Sequence, residues 1–245
     1  MTAPGSQLVL ATKRSADAVT REVIIGKLLA TVDEMAIVLA RASMSPVIYE
    51  VLDFACGICD ELGDLVAQTN GITVFTGTFS HQVHFIIERF SSDMAPGDTF
   101  LTNDPFEGGT HACDFAVVRP IFAEGKIIAY AIAIAHLLDV GGAVAGSLPP
   151  NATSIFQEGL RLSGVRLTRE DRLLDDLVRI VTENVRLPHL TLGDINAELA
   201  AVRIEIVENH DSKVEIALVQ ITDAGWRALE GLTSRRLSPR LPDGQ

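Results

Sequence analysis

Basic residues are scarce in this chain of 245. Twenty Lys and Arg stand against 32 Asp and Glu, a formal net charge of −12. Such a surface repels phosphate backbones and anionic bilayers, so neither nucleic acid nor membrane is an expected partner. Long hydrophobic runs are missing too. The most apolar stretch, IIAYAIAIAH at 127–136, is far shorter than the roughly 20 residues of a membrane-spanning helix. The opening MTAPGSQLVLATKR has no basic segment ahead of a long apolar core and no cleavage site. The expected location is therefore cytoplasmic. Cysteine is limited to Cys56, Cys59 and Cys113, an odd and low number that excludes a disulfide scaffold. No G-x-x-x-x-G-K-[ST] occurs, so the chain has no P-loop of its own, and no G-x-S-x-G marks a serine nucleophile.

What is present is an ordinary globular composition, 47% hydrophobic and 21% charged. Residues 1–19 read as a flexible lead-in, 20–236 as one folded unit and 237–245 as a linker-like tail. Helical spacing runs from Glu22 to Ala42 and stops before Pro46. VIYEVLDFACGICDELGDLVAQT suggests two strands joined at DELGD. A helix is expected over 79–91 and a short strand at 97–101. FAVVRPIF (115–122) and KIIAYAIAIAH (126–136) form a strand pair joined by AEG. Both are almost wholly apolar, which predicts burial on both faces. GGAVAGSLPPNAT is a loop, and the last third, from DRLLDDLVRIVTENVR onward, reads as helical. The fold class is α+β: a leading helix, central buried hairpins and a helical C-terminal third.

Reactive side chains concentrate in NDPFEGGTHACD, 103–114. His111 and Asp114 precede one strand of the buried pair, and His136 ends the other. Pairing about Glu124 sets position 112 opposite His136 and gathers His111, Asp114 and His136 at one end of the sheet. Two imidazoles and a carboxylate suit one divalent ion, Zn²⁺, Mn²⁺ or Fe²⁺. His–Asp hydrogen bonds that merely satisfy a buried ring are the alternative. Asn103 and Asp104 suit Asx-type turns before Pro105. CGIC at 56–59 lies in a strand-like run, so its cysteines point to opposite faces and read as buried apolar residues. Cys113 is expected to turn away from the site. His81 and His84 read as a helix-surface pair.

NDPFEGGTHACDFAVVRPIF resembles the signature region of the hydantoinase B/oxoprolinase family, close to NDPY-x-GGTH-x-x-D. The family includes subunits of ATP-dependent hydantoinases, 5-oxoprolinase and acetone-type carboxylases. Three further blocks are similar to it in order: SPVIYEVLDFACGICDELGDLVAQ, AHLLDVGGAVAGSLPPNATSIFQEGLRL and NVRLPHLTLGDINAELAA. LPDGQ resembles the boundary at which the family's second half begins. The resemblance implies a metal held by Asp53, His111, Asp114 and His136, with Glu50 and Asp139 as base or supporting candidates by position. It implies a hetero-oligomer in which a kinase-like ATPase A subunit binds ATP and activates a small-molecule substrate, and this chain's type opens a cyclic amide. Carboxylation of a ketone, or a non-catalytic partner-binding role, are the alternatives. Val47, Tyr49, Val51, Ala55, Cys113 and Leu137 depart from the family pattern around the ligand positions.

Overall fold

The computed structural model describes residues 18–208 and 217–221. Helix α1 (Ala18–Ala42) buries Val32, Met35, Leu39 and Ala42, which recur every three or four residues along one face. Its first two residues open inside the expected lead-in, whose other residues lie outside the described part. A strand expected from Val47 is instead one helical turn, α2 (Pro46–Tyr49), with Pro46 at a position where a missing N–H is harmless. The carboxylate of Asp194 accepts from the backbone N–H groups of Met44 and Ser45, at 2.6 and 3.0 Å, and anchors this turn. Leu52 then turns the corner with φ 61°, an uncommon value for a branched residue, and β1 (Phe54–Asp60) begins after Asp53.

Strand β2 (Leu65–Gln68) returns from β1 across the expected turn, followed by α3 (Thr73–Thr76) and α4 (Phe79–Phe90). Next come β3 (Thr99–Thr102), β4 (Asp114–Ala123) and β5 (Lys126–His136), then β6 (Val165–Arg169) and β7 (Arg172–Leu173). These seven strands form one antiparallel sheet in the order β2-β1-β5-β4-β3-β6-β7. Helices α5 (Asp175–Glu183) and α6 (Pro188–Ala201) precede a separate hairpin, β8 (Ile204–Glu208) and β9 (Ala217–Ile221). The fold is α+β. The helical reading of the last third needs correction at 172–173, 204–208 and 217–221, which are strands. Ile204 and Ile206 alternate with Glu205 in a period of two inside a run that three- and four-residue spacing had claimed. The expected helix after Ile221 lies outside the described residues.

The central hairpin is buried on both faces from Tyr130 to Ala135, as its apolar runs predict, whereas Lys126–Ala129 at the turn end are exposed or half-buried. Phe115 and Val117 join Ala131, Ala133 and Ala135 in the core beneath α1 and α6. Ala116 and Val118 join Ile132 and Ile134 in the core beneath α3 and α4. The alternation on β5 sorts small residues to one face and β-branched ones to the other. Cys56 falls in the first core and Cys59 in the second, so CGIC does span the sheet. Burial pushes both thiols up, that of Cys59 to about 12. His81 and His84 lie exposed on α4.

The register differs from the expected one by two residues. Only Glu124 and Gly125, with φ 49° and 74°, form the turn, and a bulge at Ile121/Phe122 adds one residue on β5. Asp114, not position 112, therefore stands directly opposite His136.

Candidate metal centre

The loop before β4 is held by its polar residues. Asp104 accepts from the Phe106 N–H at 3.0 Å, the Asx turn expected there. Asn103 is fully buried. Its amide donates to the carbonyls of Ala112 (2.5 Å) and Leu160 (2.8 Å), and its oxygen accepts from the Leu162 N–H (2.6 Å). Gly108, at φ 89°, takes a left-handed conformation that glycine adopts freely. The chain so folded delivers His111 and Asp114 to the open end of the sheet.

Asp114 organises what is found there. One carboxylate oxygen lies 2.7 Å from His136 Nδ1 and the other 2.8 Å from His111 Nδ1. The second oxygen also accepts from the His111 backbone N–H at 2.8 Å and from the Thr110 hydroxyl. The Asp114 side chain is 1% exposed, that of His136 14% and that of His111 57%, so the cluster opens to solvent on the His111 side. Burial disfavours the Asp114 carboxylate, but hydrogen bonds from His136 and Thr110 and the charges of both histidines outweigh it and hold its pKa low. Burial likewise disfavours a charged His136; the Asp114 hydrogen bond, Cys113 and the Asp114 charge win, and its pKa rises to about 10. Cys113, expected to turn away, is not a member of the His111, Asp114 and His136 cluster. It is fully buried, with Sγ 3.8 Å from the Ser147 carbonyl.

The donor set fits a divalent cation. One ligand atom from each of His111, Asp114 and His136 lies within 4.8 Å of the others. Ligands about 2.0–2.2 Å from a shared ion are at most roughly 4.4 Å apart, so a small adjustment of side chains suffices. Asp53 is the near neighbour of this trio. Its carbonyl accepts the His136 N–H at 3.0 Å, and its carboxyl, half-buried, feels all three residues. Desolvation raises its pKa; the Asp114 charge adds to that, and the two histidines oppose it.

The structure does not bring the other two candidates into the cluster. Glu50 is exposed where α2 ends. Asp139 is buried and accepts from the N–H groups of Gly141 (3.0 Å), Gly146 (3.1 Å) and Arg186 (3.1 Å), and from the Arg186 guanidinium (3.0 Å). Burial raises its pKa, and these four donors more than offset that. Sequence reasoning missed Thr110 as a partner of Asp114, although it stands beside His111, and missed the clamp between Asp139 and Arg186, whose members are 47 residues apart.

The hydantoinase B/oxoprolinase family model matches residues 17–221. The chain belongs to the hydantoinase B/oxoprolinase family. An uncharacterized protein of Methanocaldococcus jannaschii is 34% identical over 193 residues, 78% of this chain and 34% of its own length. The 5-oxoprolinase of Dictyostelium discoideum is 29% identical over 185 residues, 76% of this chain and 15% of that protein. The caprolactamase subunit beta of Pseudomonas jessenii is 27% identical over 235 residues, 93% of this chain and 40% of that subunit. The chain thus spans well under half the length of these curated relatives. Among solved structures, the ATP-dependent caprolactamase of Pseudomonas jessenii superposes with a TM-score of 0.73 at 26% identity, covering 90% of this chain and 35% of the other. Nucleotide-free acetone carboxylase superposes with a TM-score of 0.72 at 19% identity, over 90% of this chain and 26% of the other, a likeness of fold. No helix among the described residues is long and apolar enough to cross a membrane.

Proposed function

We propose that this chain is the metal-binding part of a B-type subunit in an ATP-dependent hydrolase of cyclic amides, a hydantoin, 5-oxoproline or another lactam. A kinase-like A-type partner binds the ATP, and the working unit is a hetero-oligomer. The observation that carries the proposal is the convergence of His111, Asp114 and His136 within 4.8 Å. The caprolactamase and 5-oxoprolinase relatives support the reaction class.

His111, Asp114 and His136 would hold one divalent cation, Zn²⁺, Mn²⁺ or Fe²⁺, and Asp53 would complete the set. When bound, such a cation supplies Lewis acidity toward a carbonyl oxygen. Thr110 and the His111 N–H hold Asp114, and Asp114 holds both imidazole rings through their Nδ1 atoms, contacts that ligation of all three residues to one cation would replace. The buried Asp114 and the half-buried His136 form the inner wall, and the substrate approaches from the exposed His111 side. Glu50, exposed at the corner that leads to Asp53, is the candidate proton acceptor. Asp139 is saturated with donors and serves to hold the loop of Gly141 and Gly146.

The test is metal analysis of purified wild type, His111→Ala and His136→Ala, each assayed with its kinase-like partner for ATP-dependent ring opening. Wild type should carry about one equivalent of metal, and the variants less than a tenth of that, with matching loss of turnover. Negligible metal in all three would refute the reading. Turnover that requires bicarbonate would move the chain to the carboxylases instead.

A further inference from the structure

A cavity of about 400 Å³ is lined by Gly142 and Gly159, by Phe156 and Asn184, and by Arg161. We propose that this cavity binds an oxyanion, a phosphoryl or carboxylate group carried by the substrate, and that Arg161 anchors it. Arg161 is the one charged residue in the lining, in a protein of net charge −12. Its guanidinium is under-used. It lies 3.6 Å from an Asp104 oxygen, too long for a hydrogen bond, and 5.6 Å above the Phe106 ring. Beyond that ion pair the planar fork has N–H donors for a ligand, and it matches two oxygens of one phosphate or carboxylate. The cavity wall is a built feature. Gly142 and Gly159 take φ of 83° and 121°, and a Cβ on Gly142 would stand 2.5 Å from the Gln157 carbonyl oxygen and 2.8 Å from the Gly159 nitrogen.

One side chain ties this wall to the metal loop. Asn103 holds the carbonyl of Leu160 and the N–H of Leu162, on either side of Arg161, and also the carbonyl of Ala112, next to His111. Arg161 and His111 are therefore fixed to a common buried hub. A substrate whose amide carbonyl meets the His111 side can place an anionic group against Arg161. Phe156, 81% exposed at the rim, and Phe106, 70% exposed, offer apolar surface to the ring between. The ligand's identity as substrate rests on the proposed reaction; the oxyanion site itself does not.

The experiment titrates inorganic phosphate, and separately acetate, into the full chain stripped of metal by chelation, followed by calorimetry. Wild type should bind one anion per chain. Arg161→Met should weaken binding at least tenfold, and Arg161→Lys less. Phe156→Glu, which sets a carboxylate at the rim without touching the guanidinium, should weaken it comparably and serves if Arg161→Met misfolds. Tighter phosphate than acetate assigns the phosphoryl source, and the reverse assigns a substrate carboxylate. Failure of wild type to bind either anion overturns the proposal, as does phosphate affinity unchanged in folded Arg161→Met and Phe156→Glu proteins. Metal content is measured on the same proteins before stripping. Anion binding that depends on Arg161 in a chain that never holds metal would leave this inference standing and remove the metal reading.

Discussion

Asn103 and Glu198 show two opposite treatments of a buried polar side chain. Asn103 spends all three of its side-chain bonds on backbone groups of two separate loops. Replacing it with Ala strands buried carbonyls and an N–H, each costing about 1 kcal/mol or more. Asn103→Ala should lose roughly 3 kcal/mol in urea unfolding and bind metal more weakly, because Ala112 and Leu160 are released together. An unchanged midpoint with unchanged metal content would refute this hub role. Glu198 is fully buried, and neither oxygen makes a hydrogen bond of good geometry. Burial, then the Asp194 charge, push its pKa well up, while the Ala135 N–H pulls only slightly the other way. A carboxyl whose folded pKa is raised is fully compatible with folding below its unfolded pKa. Stability then falls as pH rises from there toward the folded pKa, by about 1.4 kcal/mol per unit. Glu198→Gln removes that loss. Its stability advantage over wild type should be small near pH 4.5 and should grow between pH 5 and pH 7 in denaturant titrations. A difference that stays constant with pH would count against a neutral Glu198.

Elements were legible where period and length agreed. The two apolar runs of β4 and β5 could only be a doubly buried pair, and their ends carried His111, Asp114 and His136 to one place. The register was not legible, because it depends on a two-residue turn and a bulge that no apolar pattern encodes. The β8–β9 hairpin was lost for a related reason: Ile and Val satisfy either period in so short a run. Arg161 and Asn103 left no trace as a pair, since loop residues have no periodicity and their neighbours are set only by the folded chain. The joint between α4 and the sheet gives a direct test of element packing. A Cβ on Gly57 of β1 would stand 2.7 Å from two ring carbons of Phe79, the first residue of α4. Gly57→Val should therefore cost about 1–3 kcal/mol through overpacking, a loss of roughly 2–4 °C in Tm per kcal/mol in a chain of this size. The His111, Asp114 and His136 trio is held at the sheet end through β4, β5 and the 103–111 loop, so the metal content proposed for wild type should survive at temperatures where the variant is folded. A variant as stable as wild type would show that α4 shifts freely on the sheet.

At the scale of the whole molecule, the candidate centre joins segments that are far apart in sequence. Asp53 follows the α2 corner, His111 sits on a loop, Asp114 opens β4 and His136 closes β5. An unfolded chain cannot hold these four groups together, so a cation held by them would bind the folded state and stabilise it by mass action. Free metal at a hundred times its dissociation constant should add about 2.7 kcal/mol. The unfolding midpoint should rise with metal concentration and fall when a chelator is added. Asp114→Asn separates this linkage from ordinary ionic effects on an acidic protein. Its amide has one acceptor oxygen where the carboxylate has two, so it can orient one imidazole as Asp114 does but not both. The variant should lose the metal-dependent rise while keeping the response to salt that its remaining negative charge produces. An equal rise in wild type and Asp114→Asn would place the cation elsewhere on the surface. A rise in wild type alone would tie the four segments, and the fold that gathers them, to one bound ion.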